Sequence, residues 1–175
     1  AQGLALAAEL ETARTGLDGR WIGLEAVMIL RAEKGFILVG KDTDGITMPQ
    51  DLGWGRPREK RQDAYFGDRA LFTPEAQRSD RRQLVGLSVE GATPLPTGAH
   101  IVAADGAADG ARRSQGFVTS SYVSPVLGRP IALAMIEGGL GRMGETVQVF
   151  HLGKMRAATI AAACAFDPEG ERLNA

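Results

Sequence analysis

The sequence predicts an α+β fold: a short helical N-terminal segment and an irregular middle, followed by a C-terminal all-β unit. Three observations carry this. Gly3 to Arg14 and Leu24 to about Glu33 are rich in strong helix formers. Met48 to Pro74 shifts to Gly, Pro, Arg and aromatic residues with no sustained period. From about Arg82 to Phe166 come short runs of β character, LVGLSVE, HIVAA, GFVTSSYV, IALAMIE, TVQVFHL and AATIAAACAF, with turn residues between them. A sandwich or a barrel satisfies that spacing.

The first helix sets Leu6, Leu10 and Ala13 on one stripe, and Gly16 and Gly19 end it. That stripe is expected to be exposed, its partner lying upstream, and to favour self-association. In the second helix Leu24, Met28 and Arg31 share a face, Val27 and Leu30 widen it, and Gly35 is the stop. Phe36 to Val39 reads as a short buried strand. Lys41 to Gly45 reads as an aspartate-rich turn. Within the irregular middle, short helical turns are expected, one near Asp68 to Phe72. Asp105 to Gln115 reads as an exposed loop.

Composition narrows the function classes. A net charge of -1 gives no electrostatic reason to expect nucleic acid or an anionic membrane. Basic residues cluster at Arg56 to Arg61 and Arg78 to Arg82, but acids interrupt both runs, which read as solvated. No apolar run has the length of a membrane span, and no signal peptide is evident. The single cysteine, Cys164, excludes an intramolecular disulfide and reads as a buried core thiol of a cytoplasmic protein. Two histidines and one cysteine give no transition-metal site.

Two patterns mislead. Gly139 to Gly144 matches G-x-G-x-x-G, but ETVQVF after it alternates as a strand, where a dinucleotide site needs a helix N-terminus. A hairpin connection is the expectation there. Asp42-x-Asp44-Gly45 has the look of a calcium loop, but its glycine comes too early and no closing glutamate follows. Aspartates accepting local backbone amides explain it better.

Several spaced elements resemble one family. Arg31, Glu33 and Gly35 match LR-x-E-x-G; Asp44 and Pro49 match an acidic turn ending in proline; Leu52, Gly53 and Trp54 match LGW. Tyr65, Gly67 and Leu71 match F-x-G-x-x-x-L, with tyrosine replacing phenylalanine, and Val85-Gly86-Leu87 matches a first barrel strand. Thr119, Ser120, Ser124, Pro125 and Leu127 match T-S-x-x-x-S-P-x-L. Arg129, Ile131 to Ala134 and the tail Asp167 to Leu173 resemble sarcosine oxidase in particular. The chain thus resembles the C-terminal part of the α subunit of heterotetrameric sarcosine oxidase and, more broadly, the glycine-cleavage T-protein (aminomethyltransferase) family.

That resemblance implies a C-terminal antiparallel β-barrel of the aminomethyltransferase type over residues 79–175, behind a helical and irregular remnant of the folate-binding domain over residues 1–78. It implies tetrahydrofolate as ligand, with flavins and NAD only in the wider assembly. It also implies other sarcosine-oxidase-type subunits or an upstream polypeptide as partners. The implied folate-contacting residues are Trp54, Arg31, Arg129 and Arg172: the indole for the pterin face, a guanidinium for the glutamate tail. The family's catalytic aspartate and pterin-binding glutamate lie upstream, and Val27 stands where the T-protein has a folate-contacting arginine. No catalytic residue is expected here, and the chain alone is expected to be inactive.

Each of these assignments has a structural alternative. Trp54 between two glycines suits a core plug; Arg31 suits an ion pair with Glu33 or a nearby aspartate. Ser120, Ser121 and Ser124 lack a base within reach and suit backbone satisfaction. The barrel suits a non-catalytic docking domain, and the family resemblance also suits a folate-dependent demethylase.

Overall fold

The computed structural model describes residues 2–54, 63, 65–103, 112–172 and 174. The Arg56 to Arg61 cluster, residues 105–111 of the expected loop, and Leu173 lie outside them. Helix α1 is Gln2–Gly16 and α2 is Leu24–Glu33, as expected within a residue or two for the first and to the residue for the second. None of α1 is buried. The end of α2 is a Schellman turn: Gly35 N–H bonds Ala32 O and Phe36 N–H bonds Arg31 O. Gly35 takes φ 71° there. A β-carbon on it would sit 2.8 Å from the carbonyl carbon of Ala163, so glycine serves both the turn and the close approach of the C-terminal tail.

The strand expected at Phe36 to Val39 does not form. Leu38 N–H donates to the Asp42 carboxylate at 2.8 Å, while the Lys41 and Asp42 amides bond back to Leu38 O. Those bonds curl the segment into a turn and take the Leu38 amide away from any ladder, and Phe36 and Val39 are exposed. The middle does contain short 3-10 turns, Pro49–Leu52 and Asp68–Phe72.

Six antiparallel strands follow: β1 Arg82–Ser88, β2 His100–Ala103, β3 Ser114–Ser124, β4 Arg129–Glu137, β5 Thr146–His151 and β6 Lys154–Ala161. They close into a barrel in the order β1-β4-β3-β2-β5-β6, which leaves no strand edge unpaired. The run IALAMI is apolar throughout because both of its faces are covered. Ala132, Ala134 and Ile136 line the interior with Val85, Ile101, Val147 and Ile160. Ile131, Leu133 and Met135 face outward onto Ala32, Ile37 and Leu52.

The Gly139 to Gly144 segment is not a hairpin. β4 and β5 are not neighbours in the closed order, so the segment crosses one end of the barrel. A 3-10 turn at Gly139–Gly141 sets Leu140 against the core, with its N–H on Gln83 Oε1 at 2.9 Å. β6 stops at Ala161, short of the expected AATIAAACAF run. Beyond it Ala163 and Ala165 pack outside the barrel, and the amides of Ala165 and Phe166 bond Glu33 O at 2.9 and 3.0 Å. Cys164 is therefore half-buried in this tail rather than a core thiol, its Sγ 3.2 Å from Phe166 O.

Candidate functional site

Two buried polar clusters fix the segment before the barrel onto its outer wall. In the first, Arg31 on α2 places Nη1 on Asp42 Oδ2 at 2.5 Å and Nη2 on Ser120 of β3. Asp42 is fully buried and also accepts the Thr119 hydroxyl and Leu38 N–H. Two residues on, Glu33 accepts the Ser124 hydroxyl at 2.5 Å, and Ser124 in turn receives Leu127 N–H. The elements that resembled family motifs thus meet in space, with α2 and its turn on one side and T-S-x-x-x-S on the other. Of the three serines, Ser121 and Ser124 accept backbone amides as expected, whereas Ser120 bonds the charged pair instead.

The second cluster was not anticipated. Arg81, expected to be solvated, is buried and grips Asp51 through Nε and Nη2, at 3.0 and 2.6 Å. Its other donors reach Ile46 O, Glu75 O and Glu75 Oε1. The hydrogen bonds it donates to Asp51 raise the affinity of Arg81 for its proton, so it stays charged despite burial. Asp51 also accepts Met48 N–H at 2.9 Å, which closes the 3-10 turn at Pro49–Leu52. Sequence offered no signal for this pair, whose members stand far apart along the chain.

Between the clusters lies a cleft of about 450 Å³, walled by the Asp42 to Asp44 turn, by Glu75 to Arg82, and by Phe117 and Met135. Asp44 accepts Ile46 N–H and the Thr47 hydroxyl, the local aspartate turn expected in place of a calcium loop. The Thr47 hydroxyl is the main reason its carboxyl lies below the usual aspartate value. Arg82 stands over the Phe117 ring, 5.5 Å from the centroid.

The four implied ligand residues are placed separately, and none lines this cleft. Trp54 is 65% exposed, following Gly53 in the left-handed conformation (φ 75°); it plugs no core. Arg31 is only 9% exposed, with both terminal nitrogens engaged, and its partner is Asp42. Arg129 is exposed and borders a smaller hollow of about 190 Å³ beside Ala132 and Cys164. Arg172 is exposed over the Phe166 ring.

One further pair was missed: His100 Nδ1 lies 3.0 Å from Ser114 Oγ. The Ser114 hydroxyl also lies 3.0 Å from Gly116 O, an acceptor for its proton. Among the described residues no group of three or more His, Cys, Asp or Glu side chains could hold a metal, and no helix is long and apolar enough to cross a membrane.

Comparison with known proteins places this arrangement. Residues 82–167, the barrel and the start of its tail, match the family described as the glycine cleavage T-protein C-terminal barrel domain. The chain is 41% identical to sarcosine oxidase subunit alpha from Corynebacterium sp. (strain U-96) over 86% of its own length and 16% of that protein's. It is 32% identical to trimethylamine-oxide aldolase from Ruegeria pomeroyi, over 87% of this chain and 19% of the relative. A crystal structure of the glycine cleavage system aminomethyltransferase T from Bartonella henselae superposes with a TM-score of 0.72 at 27% identity, covering 93% of this chain and 44% of that one. The chain therefore spans a small part of the curated relatives it matches, and with its T-protein barrel it belongs to the family of sarcosine oxidase α subunits and aminomethyltransferases.

Proposed function

We propose that this chain forms one wall of a tetrahydrofolate pocket in a one-carbon-transfer enzyme of the sarcosine oxidase α type. In that reading sarcosine loses two electrons to a flavin elsewhere in the assembly. Its one-carbon unit then passes to tetrahydrofolate, giving 5,10-methylenetetrahydrofolate and glycine. The observation that carries the reading is Trp54: a large aromatic side chain held at the surface, 65% exposed, where a pterin face can stack on it. Arg129 and Arg172 are the exposed cations for the carboxylates of a glutamate tail. Arg31 would reach such a carboxylate only by exchanging Asp42 for it, and supports the wall from behind. No residue here is assigned as the base for the transfer; the chain alone binds and does not turn over.

The test is a calorimetric titration of tetrahydrofolate into the chain and into Trp54→Ala. Stacking energies of about 0.5–1.5 kcal/mol beyond burial predict a loss of some two- to tenfold in affinity, and more if the ring is fully covered. An absence of heat at millimolar ligand would sink the reading. The likeness to trimethylamine-oxide aldolase supports a variant of it in which another methylated amine is demethylated; turnover with that amine, by the complemented assembly, decides between them.

A second reading, a docking domain indifferent to folate, rests on the bare apolar surface of α1 and the segment after it, where Leu4 is 83% exposed and Leu6, Trp21 and Ile22 are exposed as well. Partner subunits of the sarcosine oxidase type, or the chain itself, would cover it. Sedimentation across a concentration series reads self-association directly, and a strict monomer at high concentration would count against that form of it.

A further inference from the structure

We infer that the buried Asp51–Arg81 ion pair is the positioning device for Trp54; its purpose, though not its geometry, rests on the folate reading. Trp54 has little packing of its own, so its place is set by the backbone that carries it. That backbone is the 3-10 turn Pro49–Leu52, whose end is tied by Gly53 N–H on Gln50 O and Trp54 N–H on Pro49 O, both 3.2 Å. A turn of one cycle is not stable by itself. It is held from its start by Asp51, which takes Met48 N–H on the same carboxylate oxygen that receives Arg81 Nη2. Arg81 is in turn fixed at the entrance to β1, with Gly138 N–H on its own carbonyl at 2.9 Å. The chain of contacts runs from the barrel wall through Arg81 and Asp51 to the turn and out to the indole.

The guanidinium also binds Ile46 O, so the same group sets where the turn begins. Asp51 and Arg81 thus act through Trp54 and touch no ligand themselves.

The experiment uses the full chain with Trp21→Phe, so that Trp54 is the sole tryptophan. Time-resolved fluorescence anisotropy of Trp54 is read in this parent, in Asp51→Asn, and in the double variant Asp51→Asn/Arg81→Gln. The single change strands a buried guanidinium and risks unfolding, whereas the double change leaves no uncompensated charge, so the barrel is expected to survive it. In folded variants the indole should gain fast local motion, and the affinity for tetrahydrofolate should fall about tenfold; Asp51→Glu should recover part of both.

A folded double variant whose Trp54 anisotropy matches the parent overturns the inference. A parent that binds no tetrahydrofolate, alongside variants whose indole is loosened, supports the positioning and refutes the folate reading. Tight binding by the parent with an unloosened indole in the variants does the reverse.

Discussion

Residues 82–161 bury a continuous apolar interior, from Val85 and Leu87 on β1 through Ile136 on β4 to Ile160 on β6. The segment ahead of them buries few apolar side chains among its described residues, Ala32, Leu71 and Ala76, but it buries Glu33, Asp42, Asp51, Asp68 and Arg81. The barrel is therefore held by non-directional area burial and a closed hydrogen-bond ladder. The segment is docked by paired charges whose worth depends on geometry. Area tolerates small adjustments, whereas a buried ion pair that loses one member leaves the other stranded. Removal of single groups should thus unfasten the front segment while the barrel persists, and only changes inside the ladder should abolish both.

Gly116→Ala is expected to have the largest effect. A β-carbon at Gly116 would lie 2.1 Å from Met135 O, an atom of the neighbouring strand's backbone that cannot move without opening the β3–β4 pairing. The cost exceeds the ~1–3 kcal/mol of ordinary overpacking, and loss of soluble, folded protein is the expected readout. A variant with native circular dichroism and melting temperature would show the barrel to be more plastic than described.

Asp42→Ala comes next. It leaves the Arg31 guanidinium buried without its carboxylate, at about 3–5 kcal/mol for a broken buried pair. Hydrogen exchange should quicken in α2 and in the Leu38 to Thr47 turn, with strands β1 and β4 still protected. Uniform loss of protection across helix and barrel would show that the two regions form one cooperative unit.

Most of the barrel was legible because its information is local. Turn residues punctuate the strands, and the two-sided burial of IALAMIE shows in its composition. What stayed hidden depends on partners distant in sequence. Phe36 to Val39 has the composition of a strand, yet Asp42 claims the Leu38 amide because Arg31 and Thr119 draw that carboxylate inward. Arg81 sits in a basic run that looks solvated until Asp51 is known to lie beneath it. The hairpin expected at Gly139 to Gly144 failed for a topological reason, since adjacency of strands in sequence does not fix adjacency in a closed barrel. At the candidate site, the motifs identified the family, but the exposure of Trp54 and the engagement of Arg31 are properties of packing alone.

A smaller effect tests the junction between the regions. Gly35→Ala places a side chain at φ 71° and within 2.8 Å of the Ala163 backbone. The strain is on the order of 1–3 kcal/mol. It should push the tail off α2, and the single thiol, Cys164, reports this directly. Its reaction with an aromatic disulfide should quicken several-fold, while an unchanged rate would mean that the tail is anchored elsewhere, for example by Lys34 on Asp167.

The smallest effect separates charge from shape at the cleft. The Asp44 carboxyl is held below its ordinary value, chiefly by the Thr47 hydroxyl and then by local backbone amides. A depressed carboxylate contributes stability that is present above its unfolded pKa of about 3.9 and is lost as the pH falls through the lower folded value. Asp44→Asn should therefore melt slightly below the parent at pH 7, by less than about 1 kcal/mol because the group is exposed and screened. The gap should close as the pH drops below 4, where the parent's own carboxylate is neutralised. Every other ionisable group is common to the two proteins and cancels in the difference between their melting curves. A gap that stays constant from pH 7 to pH 3 would show that the turn depends on the hydrogen-bonding shape of residue 44 and not on its charge. The front segment would then owe its docking to the buried pairs alone.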